Sequence, residues 1–211
     1  QLSHVVLGMG VSAIWSGCYA ASQACRWHVT RDPDALAQMR RLANGLRLLS
    51  DVTGVSGRLT RTVGRRIPGE RLSRKAVAST AQSGLDFVPD VSRDQLAGVT
   101  LGWFLIWKYA DADPDLKALA ARQLTAIAVR LGQDKLWLRD WKGRKTEHGE
   151  LTTKIPSSPI GTNGCWAAIG LAAAVAAHEV NPNDEGVRFL LRHLLVSKWD
   201  EAVSSQNTFF S

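Results

Sequence analysis

The sequence contains little cysteine, tyrosine or methionine and has no long hydrophobic run. Of its 211 residues, three are Cys, two are Tyr and two are Met. The apolar stretch from Trp166 to Ala177 is closed by His178 and Glu179, whereas a membrane-spanning helix needs about 20 apolar residues. We therefore predict no membrane span.

The three cysteines are an odd number, so at least one thiol is free. Cys18 and Cys25 lie in a helical pattern about 10 Å apart along the helix axis, which is too far for a disulfide bond. We interpret the cysteines as small buried thiols. No spacing of Cys and His is typical of a zinc site, and no metal is predicted.

The motifs of several enzyme classes are also missing. The chain has no P-loop, no Gly-rich dinucleotide fingerprint, no Gly-x-Ser-x-Gly elbow and no His-Glu-x-x-His. Nucleotide-dependent, serine-hydrolase and zinc-protease functions therefore lack support, and no cofactor is predicted. The chain begins with Gln1 rather than Met, which predicts a processed protein or a fragment, and we favour a secreted or periplasmic location.

Positive charge and tryptophan, by contrast, are abundant. Lys and Arg number 26 against 19 Asp and Glu, a net charge of +7, and the eight Trp exceed the five Phe and two Tyr together. The apolar and charged fractions, 45% and 21%, are those of an ordinary globular protein. The excess of positive charge favours anionic partners.

A weak internal repeat organises the chain. Each of three junctions places a proline between a helix rich in small residues and a Leu/Arg-rich amphipathic helix: Arg31–Leu36, Ala112–Leu116 and Asn181–Glu185. Asp or Asn before the proline can cap the second helix, and proline is tolerated at its first position. We predict three αα-hairpins, at about 4–50, 94–132 and 163–200, in a single all-α domain spanning 1–211.

Two local patterns refine this prediction. Ser92 followed by Gln95 is typical of a capping box and starts the third helix. The alternation over Leu136–Trp141, followed by a Lys-Gly turn, predicts a small β-hairpin.

The connection at about 54–91 is the most basic part of the chain. Up to residue 75 it carries seven cationic side chains against the single acid Glu70: Arg58, Arg61, Arg65, Arg66, Arg71, Arg74 and Lys75. A structureless connection of this length indicates a functional loop or a flexible insertion. It is interpreted either as a solvated loop or as a groove for an anionic partner, with nucleic acid as a further candidate.

Helical hairpins with tryptophan-containing, loop-rich ends resemble the (α/α) toroids of six-hairpin glycosidases and helical polysaccharide lyases. The segments Ile14–Gln23, Asp51–Gly57 and Asp94–Gly98 are similar to segments of uncharacterised bacterial proteins of that kind. The resemblance implies a partial or complete toroid that handles carbohydrate. A closed toroid needs twice the hairpins predicted here, so we expect a fragment, an open half-ring, or a homo-oligomer in which another copy supplies the second half.

Carboxylates near helix ends are the candidate catalytic groups. Glycoside hydrolysis needs two carboxyl groups flanking the scissile bond, and Asp51, Asp94 and Asp140 each lie at or near a predicted helix end or loop. For Asp94 the alternative is electrostatic, because a carboxylate in the first turn complements the helix dipole.

Uronate elimination instead needs a base, together with a cation or amide that neutralises the substrate carboxylate. Tyr19, His148, Asn163 and the arginines of the basic connection are candidates for these roles. His148 is expected in a polar, accessible loop. Tyr19 is expected to pack in the core with its hydroxyl hydrogen-bonded, and a substrate contact is the alternative.

The tryptophans fall into two groups. Packing between helices is the default for four that lie on predicted helices: Trp27, Trp103, Trp107 and Trp199. Trp137 and Trp141 lie in the predicted β-hairpin and are expected to form a platform for sugar rings.

These features predict a protein that binds an anionic polysaccharide or oligosaccharide and, if it is an enzyme, cleaves it as a glycoside hydrolase or polysaccharide lyase. Arg61, Arg65 and Arg66 would contact carboxylate or sulfate, and Asp94 and His148 would be the first acid/base candidates. The alternative is a non-enzymatic module whose open helical face docks a protein partner. Nucleic acid is a third hypothesis and is not the expected partner.

Overall fold

The computed structural model describes residues 12–153 and 164–207, and these residues are mostly helical. The described helices are α1 (Ser12–Thr30), α2 (Pro33–Asp51), α3 (Arg93–Tyr109), α4 (Pro114–Gln133), α5 (Gly164–Val180), α6 (Glu185–Val196) and α7 (Trp199–Asn207). The described strands are β1 (Thr62–Arg65), β2 (Val77–Ala78), β3 (Leu85–Val88), β4 (Trp137–Arg139) and β5 (Lys145–Glu150). The mostly helical prediction is confirmed, with two small sheets added to it.

The first two proline junctions form as predicted. Asp32 caps α2 by accepting a hydrogen bond from the backbone N–H of Asp34 (2.9 Å), and Asp113 caps α4 by accepting one from that of Leu116 (3.0 Å). Proline follows each of these caps at the start of the helix. The predicted capping box at the start of α3 is also confirmed.

The third junction differs from the prediction. Asp184, rather than Asn181, caps α6 by accepting a hydrogen bond from the backbone N–H of Val187 (3.0 Å), so Pro182 stays in the turn. The helix ends before residue 200, because Lys198 adopts a left-handed φ of 60° and separates α6 from α7. The predicted starts of the first and third hairpins, at 4 and 163, lie outside the described residues.

Left-handed backbone also follows two other helices. Arg31 after α1 has a φ of 54°, and Lys135 after α4 has a φ of 56°. Glycine usually occupies this position after a helix, because other L-residues are strained there.

The hairpins stack side by side in two layers. One layer contains α1, α3 and α5, and the other contains α2, α4 and α6, with α7 packed on α5. The contacts of Gly17 with Gly98 and of His28 with Tyr109 show that α1 and α3 run in the same direction.

The contact between α1 and α3 brings backbone directly against backbone. A Cβ atom on Gly17 would lie 2.0 Å from the carbonyl oxygen of Gly98, and a Cβ atom on Gly102 would lie 2.7 Å from that of Gly17. A Cβ atom on Gly98 would lie 2.6 Å from the Cα of Ile14. Because real Cβ atoms do not approach other atoms this closely, the crossing requires glycine on both helices.

A single core fills the space between the layers. Four of its largest fully buried side chains come from α2, α3 and α4: Met39, Leu46, Trp103 and Ile127. Trp27 and Trp199 are also buried, and Trp107 packs against the core, so the predicted packing role of these tryptophans is confirmed.

The prediction of a structureless connection at 54–91 is wrong. Antiparallel strands form a sheet in the order β1-β3-β2, with Phe87 of β3 paired with both Val63 and Val77. Phe87 is only 1% exposed. These apolar contacts stabilise the sheet. The sequence alone does not predict them, because arginine dominates the local sequence pattern.

The predicted β-hairpin after α4 is confirmed. β4 pairs with β5 in antiparallel register, with Trp137 opposite Glu150 and Arg139 opposite Lys145.

The interpretation of the cysteines as buried thiols is wrong. All three are free, and Cys25 and Cys165 are exposed. Glycine and alanine, rather than cysteine, occupy the closely packed faces of α1 and α5.

Within the described chain, every helix is too short or too polar to cross a lipid bilayer.

Polar contacts join the end of α1 and the α1–α2 turn of the first hairpin to the α3–α4 turn of the second hairpin. Trp27 Nε1 donates a hydrogen bond to Asp111 Oδ1 (2.9 Å), and Arg31 contacts both oxygens of the same carboxylate at 2.6 and 2.7 Å. The indole N–H bond and then the guanidinium bonds lower the pKa of Asp111 to about 2.

Gly17→Ala is expected to reduce the free energy of unfolding by about 3 kcal/mol, because the added methyl group overpacks the backbone crossing. The matched control is Gly45→Ala on α2, where a Cβ atom meets nothing within 4 Å. This control should raise the free energy of unfolding by about 1 kcal/mol through helix propensity. Denaturant unfolding followed by circular dichroism measures both, and equal effects of the two changes would contradict the crossing.

Asp111 is expected to titrate with a midpoint near 2 in the folded protein, below its ordinary value of 3.8. A lowered folded-state pKa stabilises the protein above the unfolded-state pKa, and this contribution is lost as the pH falls through the window between these two values. Carboxyl NMR titration measures the midpoint, and Arg31→Gln should raise it. A wild-type midpoint at the ordinary value would show that these contacts are absent in solution.

Candidate functional site

The two small sheets lie at the end of the bundle where α1, α3 and α5 begin. The backbone N–H of Ala13 in α1 donates to the carbonyl of Arg61 (3.3 Å), and Arg93 at the start of α3 contacts Trp166 at the start of α5. We call this region the sheet end; it comprises residues 52–92, 134–153 and the first turns of these three helices. Most of the predicted site residues lie here.

Phe87 and Trp141 join the two sheets. Phe87 of β3 meets Trp141, in the turn between β4 and β5, edge to face, with ring centroids 5.6 Å apart. Each sheet has a turn with a glycine in the left-handed region, Gly84 before β3 and Gly143 before β5, a conformation that glycine adopts without strain.

Trp137 and Trp141 are partly buried, and both are flanked by cations. The Nε1 of Trp137 donates to the carbonyl of Thr146 (3.2 Å), and Lys145 Nζ lies 3.7 Å from the Trp137 ring centroid. Lys142 and Arg144 lie 5.3 and 5.4 Å from the Trp141 centroid. The hairpin therefore places positive charge beside two flat apolar rings, an arrangement stabilised by cation–π attraction.

Asp140 holds the turn of this hairpin together. Its carboxylate accepts hydrogen bonds from the backbone N–H groups of Lys142 and Arg144, both at 2.9 Å, and pairs with the Arg144 guanidinium at 2.7 Å. These contacts engage both carboxylate oxygens, and Asp140 is only 7% exposed. The geometry gives this predicted catalytic residue a structural role in the turn.

The cations of the basic connection divide into paired and unpaired groups. Arg58 pairs with Asp134 (3.2 Å), Arg66 with Asp86 (2.7 Å) and Lys75 with Asp90 (3.5 Å). Three further arginines are exposed and form no hydrogen bond or ion pair through their side chains with the described residues: Arg65, Arg71 and Arg74. These three guanidinium groups are the ones that an anionic ligand can reach without breaking a protein contact.

Arg61 links several elements of the sheet end. Its Nε donates to the carbonyl of Asp90 (2.7 Å) and a terminal nitrogen donates to the Ser92 hydroxyl (3.0 Å). Its backbone N–H donates to the carbonyl of Val88 (2.8 Å). Arg61, whose side chain is predicted to meet a substrate anion, thus ties β3 to the start of α3 through its backbone and its side chain together.

Asp94 lies exposed in the first turn of α3, beside a cluster that the sequence did not reveal. The guanidinium carbon of Arg93 lies 3.5 Å from the Trp166 ring centroid, and its NH1 donates to the carbonyl of Glu150 (3.1 Å). Burial lowers the pKa of Arg93, and the charges of Glu150 and Asp94 oppose this shift. Arg93 therefore joins the start of α3 to β5 and to Trp166 of α5, within reach of the charges of Glu150 and Asp94.

No local sequence signal identifies this cluster. Arg93 and Glu150 are 57 positions apart, and Trp166 belongs to a helix whose other residues are mostly small and apolar. Only the packing of α3, α5 and β5 brings the three residues together.

Asp51 lies apart from the tryptophans, at the end of α2. It pairs with Arg47 at 3.4 Å, one helical turn earlier. It lines an open cleft of about 290 Å³ together with Ser50, residues 54–57, Gln82 and Gln123. The cleft is polar, and hydroxyl and amide groups of this kind can bind sugar hydroxyls.

The remaining predicted residues occupy separate places. His148 is exposed on β5, with Nε2 3.7 Å from Glu147 Oε1. Tyr19 is 50% exposed and Trp15, one turn before it, is 63% exposed, so the expectation that Tyr19 packs in the core is wrong. Asn163 lies outside the described residues.

The four predicted catalytic residues, Asp51, Asp94, Asp140 and His148, form no direct polar contact with one another among the described residues. No three His, Cys, Asp or Glu side chains in the described ranges lie close enough together to hold a metal ion.

Comparison with known proteins finds no match to this chain among protein-family models, curated proteins or solved structures. The function must therefore be argued from the site itself.

Proposed function

We propose that the protein binds an anionic polysaccharide or oligosaccharide at the sheet end. The observation that carries this proposal is the contact between Phe87 and Trp141. It joins the sheet that bears the unpaired arginines to the hairpin that bears two tryptophans. Cationic and aromatic groups from two segments of the chain are thereby brought to the same end of the bundle.

The chemistry of the sheet end suits an acidic sugar polymer. Indole rings stack on the apolar faces of pyranose rings, and guanidinium groups bind carboxylate or sulfate through paired hydrogen bonds. Each exposed cation contributes little by itself in water. Repeated charges along a polymer allow several of these weak contacts to act together.

Cleavage, if the protein is an enzyme, is proposed at the Arg93 cluster. A glycoside hydrolase needs one carboxyl group that protonates the leaving oxygen and another that activates water or attacks the sugar. Asp94 and Glu150 are the carboxylates whose charges act on Arg93, and Arg93 lies over an indole ring.

The two-layer stack is proposed to be an arc of an (α/α) toroid. Parallel packing of α1 with α3, and the common position of the starts of α3 and α5, support this proposal. In such a toroid, loops gathered at one end frame the binding surface, as the two small sheets do here.

A second candidate function, docking of a protein partner, is favoured by large exposed hydrophobic side chains on the first and third hairpins. Trp15 and Tyr19 are exposed on α1, and Phe189 and Val196 are 68% and 77% exposed on α6. A second copy of the chain is the partner to test, because it would extend the stack of hairpins from these edges.

The polysaccharide proposal predicts a result for the triple variant in which Gln replaces Arg65, Arg71 and Arg74. This variant should bind polygalacturonate at least about tenfold more weakly than the wild type, because three of the contacting charges are removed. The matched control removes three exposed arginines away from the sheet end: Arg41, Arg188 and Arg192. Affinity electrophoresis and calorimetry at low salt measure binding, with a neutral glucan and duplex DNA alongside. New reducing or unsaturated ends report cleavage.

Binding to polygalacturonate that falls only in the sheet-end variant supports the proposal. Failure of the wild type to bind any acidic glycan overturns it. Tighter binding to DNA than to the glycan would move the function to nucleic acid, whose phosphate contacts are strongest at low salt.

The docking candidate predicts a native mass that is a multiple of the chain mass and that falls to the chain mass when Trp15 and Tyr19 are both replaced by Ser. The physical reason is loss of buried apolar area at the edge of the stack. Val29→Ser is the control, since Val29 is 78% exposed on the same helix. Light scattering after gel filtration measures the mass, and a monomeric wild type would remove a second copy as the partner.

A further inference from the structure

An open groove on the α4 side of the bundle is separate from the tryptophans and unpaired arginines of the sheet end. It has a volume of about 430 Å³ and lies between α4, the end of α5 and Ser56. This volume is within the range of small-molecule sites, which is roughly 300–1,000 Å³. We call it the outer groove.

The charged side chains that line the outer groove are both cationic. Arg122 and Arg130 line it, and no Asp or Glu does. Arg122 is exposed and forms no hydrogen bond or ion pair through its side chain with the described residues. Arg130 donates through Nε to the carbonyl of Ser56 (3.1 Å), which fixes its stem and leaves its terminal nitrogens available.

The two arginines are placed to converge on one ligand. They are eight residues apart on the same helix, about 12 Å along its axis, and both line the same groove. A guanidinium side chain is long enough to reach several ångströms from its helix. An oxyanion bound in the groove can therefore be contacted from either end.

Uncharged polar groups lie between the two cations. Asn181 Nδ2 donates to Thr125 Oγ1 (3.4 Å), and that hydroxyl donates to the carbonyl of Ala121 (2.9 Å). Gln133 also lines the groove. The amide oxygen of Asn181 and the amide of Gln133 can bind hydroxyl groups, while Val129 and Val180 supply an apolar wall.

We propose that the outer groove binds a small polyhydroxylated oxyanion, such as a sugar acid or a sugar phosphate. Arg122 and Arg130 contact the anionic group, and Asn181 and Gln133 contact hydroxyl groups. Carboxylate and phosphate share the geometry that a guanidinium recognises. The proposal is independent of polysaccharide binding, because it uses none of the tryptophans or arginines assigned to that function.

The test is calorimetric titration of the full chain with four probes: glucuronate, glucose 6-phosphate, glucose and inorganic phosphate. Both sugar oxyanions, or one of them, should bind, and glucose should bind at least about tenfold more weakly because it lacks the charge-assisted hydrogen bonds. Glucuronate and glucose 6-phosphate distinguish a carboxylate from a phosphate ligand. Inorganic phosphate shows whether the hydroxyl groups contribute.

Two variants assign the binding to this groove. Arg122→Gln should weaken binding about tenfold or more, and it should fold normally because the exposed Arg122 side chain forms no hydrogen bond or ion pair with the described residues. Arg188→Gln, an exposed arginine on α6, is the matched control and should leave binding unchanged. The Arg side-chain Nε–H signals in a ¹⁵N NMR spectrum provide a second readout, in which the Arg122 and Arg130 signals should shift on titration.

Each outcome decides the proposal. Binding of a sugar oxyanion that is lost in Arg122→Gln and retained in Arg188→Gln supports it. Binding of glucose as tight as that of the better sugar oxyanion, binding unaffected by Arg122→Gln, or no binding of any sugar oxyanion overturns it. Inorganic phosphate bound as tightly as glucose 6-phosphate would overturn the assigned role of the polar side chains.

Discussion

The close crossing of α1 and α3 is the constraint on which the rest of the molecule depends. Because Gly17 and Gly98 bring the two backbones into direct contact, the helices are fixed in both spacing and direction. Their starts then lie at the same end, and the segments that precede α3 and follow α4 must lie at that end too. The arginine-bearing sheet and the tryptophan hairpin of the sheet end therefore depend on the crossing of α1 and α3, whose glycines have no functional groups of their own.

Under the proposed function, the basic segment of the sheet end serves structure and ligand at once. Arg58, Arg61 and Arg66 are bound to protein groups and hold the two sheets and the helix starts in place. Arg65, Arg71 and Arg74 of the same connection face solvent. The total charge of the segment therefore measures neither its stability nor the binding proposed for it, since identical side chains a few residues apart have different surroundings. Hydrogen bonds and ion pairs to protein groups distinguish the first group from the second.

The sequence predicts the helices better than it predicts the site, for a physical reason. Caps such as Asp32 and Asp113 act within four residues, so the junctions can be read directly from the chain. The sheet of the basic connection depends on Phe87 pairing with Val63 and Val77, contacts between segments whose local pattern is dominated by arginine. The cluster of Arg93 with Trp166 depends on helices distant in the chain. Exposure of Tyr19 likewise depends on which face of α1 its neighbours leave uncovered.

The left-handed residues after α1, α4 and α6 contribute to the excess of positive charge. Arg31, Lys135 and Lys198 occupy backbone positions that glycine adopts more easily, and a cation at the carboxyl end of a helix is favoured by the helix dipole. A chain that used glycine at these three positions would carry +4 instead of +7, because three positive charges would be removed. Three of the 26 cationic side chains are thus placed where the chain reverses after a helix, at positions where glycine is more usual.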